Sequence, residues 1–231
     1  MKTKVALLQF PGSNCDQDCA LALKHHFSVL VKPVWHSEVS LPAVDGVVIP
    51  GGFSYGDYLR SGALASHSPV MAALRLFIKK GGPVFGICNG FQILTESGLL
   101  PGVLLRNSQQ QFICRQIGLA VDKDCKVKGL KTLKGNIYKM PIAHGNGRYY
   151  ANKESLKRMR GEGQIFLRYV DEKGKPSDES NPNGSIDNIA GVASENGKII
   201  GMMPHPERAV DELTGSNDAL AVWKAFLALC G

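Results

Sequence analysis

The sequence predicts an α/β fold with an open, mostly parallel sheet flanked by helices and extra antiparallel strands in its second half. In the first hundred residues, short apolar runs alternate with amphipathic segments, as in βα units around a parallel sheet. After residue 105 the apolar runs follow one another more closely, which favours hairpin connections. A length of 231 residues suits one large domain over residues 1–231 and would be cramped for two.

Each element of the first half is predicted from its own local pattern. Residues 5–10 are predicted as a strand because this apolar run ends at a Pro-Gly turn. Residues 16–27 carry apolar side chains at helical spacing, with Asn14 as the expected cap. The elements that follow are strands over 29–35 and 46–50, a helix over 70–80 that stops at two glycines, a strand over 83–87 and a helix that begins at residue 90.

The second half is predicted as five strands and a closing helix. The basic run KESLKRMR at 153–160 indicates an exposed helix, and the turn-rich segment 171–184 is expected on the surface. The strands are predicted over residues 112–121, 137–142, 164–170, 189–193 and 198–203, and the helix over 219–229.

The composition is that of an ordinary globular protein, with 44% hydrophobic and 20% charged residues. A net charge of +7 favours an anionic partner, although a solvated lysine-rich surface explains the same charge. No nucleic-acid-binding motif accompanies the basic residues, and no nucleic-acid partner is expected.

The six cysteines include no Cys-x-x-Cys pair and no His/Cys cluster at zinc-ligand spacing. This pattern predicts a reduced, metal-free, cytoplasmic protein. The apolar run near the amino terminus is too short for a signal-peptide core, and no segment approaches the length of a membrane span. We therefore expect no membrane association.

The segment 83–90, PVFGICNG, has the pattern of a nucleophile elbow, the tight strand-to-helix turn that exposes a reactive side chain. Gly86 and Gly90 remove side chains where the turn is tightest, and the start of the helix directs free N–H groups at the Cys88 sulfur. The N–H of Asn89 is then placed to donate to an oxyanion. The same pattern also fits a small buried cysteine at a glycine-rich turn.

A thiol that attacks an amide needs a base to hold and return its proton. His205, in GMMPHPER, follows an apolar run, and open α/β sheets place their sites at strand ends. Pro206 favours an extended backbone at His205, which puts Glu207 on the same side of the chain. The alternatives are a turn histidine and a surface carboxylate paired with Arg208.

The glycine pair at residues 51 and 52 follows the third predicted strand. Glycine lets the backbone approach a ligand closely, so the N–H of Gly52 is the candidate for a second oxyanion donor. A simple turn accounts for the pair equally well.

The segments GICNG, PGG and PHPE, in this order and spacing, resemble the class I (triad-type) glutamine amidotransferases, whose fold is an open, flavodoxin-like α/β sheet. Within that family the sequence is most similar to the glutaminase subunits of phosphoribosylformylglycinamidine synthases. The segments that carry this closer resemblance are FPGSNCDQD, VIPGGFSYGDYLRSGALA, GICNGFQILTESGLLPG with LLRN, PIAHGNGRYY, and NPNGSIDNIAGVASENGKIIGMMPHPERA. The extension over residues 53–65 is the specific part.

The resemblance implies roles for individual residues of this sequence. Cys88 is implied as nucleophile, His205 as acid and base, and Glu207 as the group that orients His205. Gln92 and the turn at His144 and Gly145 are implied to contact the bound glutamine, and Gly52 and Asn89 to supply the oxyanion amides. One departure from the family pattern is Asn146, where an acidic residue is expected, so no charged contact is implied there.

The resemblance implies a glutaminase that hydrolyses L-glutamine through a thioester and passes ammonia to a separate synthetase subunit. That subunit would hold ATP and Mg²⁺, since this chain has no GxxxxGK[ST] loop and no cofactor is expected in it. A small bridging subunit is also implied. The alternatives are a free-standing γ-glutamyl hydrolase or elbow-cysteine peptidase, and a non-catalytic module that binds glutamine or a protein partner.

Overall fold

The computed structural model describes residues 2–231. These residues contain five α-helices: α1 (Asp16–Phe27), α2 (Val70–Lys79), α3 (Asn89–Glu96), α4 (Lys153–Glu162) and α5 (Leu220–Leu227). The strands are β1 (Lys4–Gln9), β2 (Leu30–Trp35), β3 (Gly46–Ile49), β4 (Val84–Ile87), β5 (Val103–Leu105), β6 (Ile113–Val121), β7 (Ile137–His144), β8 (Arg148–Tyr150), β9 (Ile165–Val170), β10 (Ile189–Ala193) and β11 (Ile199–Met202). None of the helices in residues 2–231 combines the length and apolar character needed to span a membrane.

Nine strands form one sheet in the order β2-β1-β3-β4-β11-β10-β9-β6-β7. The five strands from β2 to β11 pair in parallel, and the strands from β11 to β7 pair antiparallel. The predicted fold class is therefore confirmed, including the antiparallel strands of the second half. β5 and β8 form a separate two-stranded sheet, which the sequence did not predict because each strand has only three residues.

The parallel strands bring four connecting segments to one edge of the sheet. In the register of β3, β4 and β11, Ile49 pairs with Gly86, and Met202 pairs with Ile87. The segments that follow β1, β3, β4 and β11 consequently leave the sheet side by side, where open α/β sheets place their sites. These segments contain the glycine pair, the elbow cysteine and the PHPER sequence.

The core on one face of this sheet is aromatic. Phe85 of β4 packs against Trp223 and Phe226 of α5, with ring centroids 5.3 and 5.4 Å apart. All three side chains are excluded from solvent. Burial of large aromatic side chains contributes strongly to stability, so α5 anchors the strand that carries the elbow.

One local prediction was wrong and another was incomplete. The N-cap of α1 is Cys15 and not Asn14, and the Asn14 side chain instead accepts a hydrogen bond from the Cys15 thiol. The segment 171–184 lies at the surface as predicted, with most residues exposed or half-buried, but Asn183 near its end has no exposed surface. Its side-chain amide makes buried hydrogen bonds with the carbonyl of Gly147 and the hydroxyl of Ser185, which are not expected of a surface loop.

Candidate active site

Cys88 lies between the last residue of β4 and the first residue of α3, with φ 48° and ψ −104°. A non-glycine residue at positive φ is strained, and a nucleophile elbow holds its residue in this way. A side chain at Gly90 would collide with the carbonyl of Ile49, and one at Gly86 would lie 2.7 Å from the Gly90 oxygen. The glycines therefore allow the tight turn that the sequence predicted.

Two neighbouring strands fix the position of Cys88. Its N–H donates to the carbonyl of Met202 at 2.7 Å, which joins the elbow to the end of β11. Its Sγ lies 3.8 Å from the carbonyl oxygen of Ala143 in β7, and the residue is only 4% exposed. The thiol is consequently held in a narrow space at the sheet edge, near the free N–H groups at the start of α3.

His205 and Glu207 form a buried pair, with Nδ1 of the ring 2.6 Å from Oε1 of the carboxylate. The sequence predicted this pair through an extended backbone. The structure instead places Glu207 in a short 3-10 turn, Pro206–Arg208, that begins directly after His205. The His205 N–H donates to the carbonyl of Pro141 at 2.9 Å, so the turn is anchored on β7.

The charges around His205 favour its protonated form. Burial of the ring acts against the charge, but the carboxylate of Glu207 and the sulfur of Cys88 outweigh it and raise the pKa of His205 well above its usual range. Its Nε2 is buried without a hydrogen-bond partner. The structure thus brings Cys88, His205 and Glu207 together, while their catalytic roles stay predictions.

The candidate oxyanion donors lie on either side of the elbow. Asn89 is the first residue of α3, so its N–H has no acceptor within the helix. Gly52 has φ 147°, and a side chain there would lie 2.7 Å from the carbonyl oxygen of Gly12. The N–H of Ser54 donates to Oδ1 of Asn89 at 3.1 Å. This bond holds the glycine loop, residues 51–55, against the elbow.

Two of the residues predicted to contact glutamine, Gln92 and His144, lie close to the elbow and to His205. Gln92 on α3 donates through Nε2 to the carbonyl of Asn146 at 2.6 Å and accepts from Asn89 at 2.9 Å. His144 is the last residue of β7, and Gly145 follows it. Burial, together with the nearby His205, lowers the pKa of His144 to about 4, so this ring is neutral at pH 7.

Asn107, at the end of the LLRN segment, was missed as a functional candidate. Its Oδ1 accepts from the N–H of Gly147 at 3.0 Å and lies 3.1 Å from Nδ1 of His144. Its Nδ2 donates to the carbonyls of His144 and Gln111, each at 2.8 Å. Asn183 donates to the carbonyl of the same residue, Gly147, at 2.9 Å.

These two buried amides hold the turn that follows β7. The available signal was that the asparagines of LLRN and NPNG precede no helix that they could cap. A sequence alone does not show which backbone groups they contact instead.

Cys15 was also missed. Its Sγ, a ring nitrogen of His205 and a carboxylate oxygen of Glu207 lie within 4.8 Å of one another, the one group of metal-ligand type found within residues 2–231. Nδ1 of His205 and Oε1 of Glu207 are already bonded to each other, so a cation there would have to replace that hydrogen bond. The absence of a metal from the function stays a prediction.

Comparison with known families accounts for this geometry. Residues 2–224 match the CobB/CobQ-like glutamine amidotransferase domain. This chain belongs to that glutamine amidotransferase family. The predicted family is confirmed, and the elbow and histidine–carboxylate pair of this amidotransferase lie within the matched region.

Close relatives of the amidotransferase carry a more specific name. The phosphoribosylformylglycinamidine synthase subunit PurQ of Thermus thermophilus is 51% identical over 215 residues, 93% of each chain. The subunit of the same name from Aquifex aeolicus is 48% identical over 97% of this chain and 99% of the relative. A chain of PurLQS from Thermotoga maritima superposes with a TM-score of 0.84 at 38% identity, with complete coverage of both chains.

Proposed function

We propose that this amidotransferase is the glutaminase subunit of a phosphoribosylformylglycinamidine synthase in purine biosynthesis. The observation that carries the proposal is the buried Cys88 thiol, held at a strained elbow beside the pair formed by His205 and Glu207. The PurQ relatives support the choice of synthase.

The proposed reaction hydrolyses L-glutamine through a γ-glutamyl thioester. The Cys88 thiolate attacks the side-chain amide carbon, the C–N bond breaks, and protonated His205 gives its proton to the departing ammonia. Water then attacks the thioester carbon while His205 takes a proton from it, the C–S bond breaks, and glutamate leaves as the Cys88 thiolate is regenerated. The raised pKa of His205 supports the first step, because the ring carries a proton at neutral pH.

The oxyanion of each tetrahedral intermediate would accept hydrogen bonds from the N–H groups of Gly52 and Asn89. Gln92, His144 and Gly145 would contact the amino-acid portion of glutamine. The neutral His144 suits this position because a second cation would compete with protonated His205 for the same thiolate.

Ammonia would pass to a separate synthetase subunit, which uses ATP to convert formylglycinamide ribonucleotide to formylglycinamidine ribonucleotide. ATP and Mg²⁺ would be held by that subunit, and a small bridging subunit would complete the complex. The match to a PurLQS chain over its full length supports this assembly. A cytoplasmic location is part of the proposal, and the six free thiols are in keeping with a reducing compartment.

The test compares the two nitrogen sources in the assembled complex. Cys88→Ala is expected to abolish glutamine-dependent synthesis and to leave synthesis from ammonium salts unchanged, because only the first needs the thiol. Cys114→Ala removes an exposed thiol and is expected to change neither activity. Loss of both activities from an intact Cys88→Ala complex would contradict the proposal.

The alternative functions make different predictions for the same preparations. A free-standing γ-glutamyl hydrolase or peptidase would be as active alone as in the complex, whereas the proposal expects strong stimulation by the synthetase. A glutamine-sensing module would be indifferent to Cys88→Ala. Equal glutaminase turnover with and without the partner would favour the free-standing hydrolase.

A further inference from the structure

The segment 11–15, which follows β1, holds the backbone of the glycine loop through three main-chain hydrogen bonds. The carbonyl of Pro11 accepts the N–H of Tyr55 at 2.6 Å, and that of Gly12 accepts the N–H of Phe53 at 2.9 Å. The N–H of Cys15 donates to the carbonyl of Gly51 at 3.3 Å. The proposed function assigns no role to this segment.

The last of these bonds acts on the peptide that contains the proposed oxyanion donor. The carbonyl of Gly51 and the N–H of Gly52 belong to one planar trans peptide and point in opposite directions. Because the Cys15 N–H fixes the direction of the Gly51 carbonyl, it also fixes the Gly52 N–H, which points away from Cys15. A side chain at Gly52 would lie 2.9 Å from the nitrogen of Asn14, so the segment 11–15 also packs directly on this glycine.

The side chain of Cys15 reaches the catalytic pair. Its Sγ lies within 4.8 Å of both a ring nitrogen of His205 and a carboxylate oxygen of Glu207. Arg208 donates to the sulfur at 3.3 Å, and the residue is 3% exposed. A side chain at Gly51 would lie 3.1 Å from this sulfur and 2.8 Å from Cε1 of His205, so all three groups pack around one point.

We propose that Cys15 is a positioning residue whose thiol fixes the His205 ring, on a segment whose backbone holds the Gly51–Gly52 peptide. The proposal rests on the proposed function, since it concerns the geometry of glutamine hydrolysis. Nε2 of His205 has no hydrogen-bond partner at ordinary distance, whereas the sulfurs of Cys15 and Cys88 both interact with the ring and raise its pKa. Packing against the large Cys15 sulfur restricts the movement of the His205 ring. The ring and the Gly51–Gly52 peptide are therefore both held by the segment 11–15.

The test is Cys15→Ala in the assembled complex, with Cys125→Ala as the matched control because Cys125 is equally buried. We expect Cys15→Ala to lower kcat for glutamine about tenfold to a hundredfold, the cost of a small misplacement of reacting groups, with little change in KM. Cys125→Ala is expected to retain the parent kcat. Ammonia-dependent synthesis is expected to stay unchanged in both variants.

The pH profile separates positioning from packing. His205 is faced by Cys15, Cys88, Glu207 and His144, and removal of one neighbouring sulfur changes the balance that keeps the ring protonated. The alkaline limb of the kcat profile is therefore expected to move to lower pH in Cys15→Ala and to stay in place in Cys125→Ala.

If Cys15→Ala does not fold, the same measurements are made on Cys15→Ser, which retains a hydrogen-bonding group of similar shape. Cys15→Ser is expected to show a smaller loss of kcat than the alanine variant where both fold. Unchanged kcat and pH profile in the folded variants, with only a lower Tm, would overturn the positioning role. That result would leave the proposed function intact, which instead depends on Cys88→Ala.

Discussion

Nδ1 of His205 and Oε1 of Glu207 lie 2.6 Å apart in a site where both side chains are almost wholly excluded from water. Such a pair favours the imidazolium, because the negative charge of the carboxylate stabilises the positive charge of the ring where water is excluded. Glu207→Gln keeps the shape of the side chain and removes its charge. We expect kcat for glutamine to fall at least about a hundredfold, as for an amide in a triad.

The same substitution is expected to lower the pKa of His205, which moves the alkaline limb of the kcat profile to lower pH. The measurement is kcat against pH in the assembled complex, with ammonia-dependent synthesis as the control for complex integrity. An unchanged profile would show that Glu207 does not act through His205.

The loop 53–65 is joined to α3, the helix that follows the elbow, by an ion pair between Arg60 and Glu96. Nη2 of Arg60 and Oε2 of Glu96 are 2.6 Å apart. Arg60 is largely exposed, so the pair is expected to contribute under about 1 kcal/mol to folding. We expect docking of the synthetase on this loop to align the N–H of Gly52, the proposed oxyanion donor. Arg60→Ala is therefore predicted to lower synthetase-stimulated turnover by up to about a hundredfold, the value of one aligned donor. Thioester formation with a strongly activated analogue is expected to change far less.

A double-mutant cycle tests whether the ion pair is responsible. Arg60→Ala, Glu96→Gln and the double variant are expected to lose the same fraction of stimulated turnover, because each removes one shared interaction. Independent, additive losses would mean that Arg60 acts through another contact, and no loss in any variant would exclude the loop from the stimulation.

Asn107 uses both its donor and its acceptor groups to hold the turn after β7. Asn107→Ala leaves buried groups without partners, and we expect the free energy of unfolding to fall by about 2 to 4 kcal/mol. The KM for glutamine is expected to rise, since His144 and Gly145 lose their support. Asn136→Ala, at an exposed position, is the control and is expected to change neither quantity.

The pKa of His144 predicts how stability depends on pH. Its folded-state pKa of about 4 lies below the ordinary value of 6.5, so between these values the unfolded chain binds the proton more readily. The contribution of His144 is therefore fully present above pH 6.5 and is lost as the pH falls towards 4. At pH 4 this loss amounts to about 3 kcal/mol.

Urea unfolding at pH 7 and pH 4.5 measures this effect. In His144→Gln the fall in unfolding free energy between the two pH values is expected to be smaller than in the parent protein by about 2 to 3 kcal/mol. An equal fall in both proteins would show that His144 is not held neutral by the fold.

The parts of the site that depend on local sequence could be predicted. The elbow at Cys88 is encoded by the flanking glycines, and the strand and helix around it were predicted to within a few residues. The closeness of His205 and Glu207 was also predicted, although the backbone between them forms a tight turn and is not extended. Short-range patterns fix such features because they depend on a few adjacent residues.

The parts that depend on strand order could not be predicted. Cys15 contacts His205 because β1, β3 and β11 end at the same edge of the sheet, and nothing near Cys15 in the sequence shows that arrangement. Asn107 and Asn183 likewise act on a turn that lies far from both in sequence. Their contacts depend on tertiary packing, which local propensity does not encode.

Covalent labelling shows whether Cys88 is the nucleophile. A glutamine analogue with an electrophilic side chain is applied to the assembled complex, and modified cysteines are mapped by mass spectrometry. Cys114 is exposed and Cys88 is almost fully buried, so a reagent that merely samples accessible thiols labels Cys114 first. We expect one adduct, at Cys88, with Cys114 unmodified; labelling at Cys114 or another cysteine with Cys88 untouched would show that Cys88 is not the nucleophile.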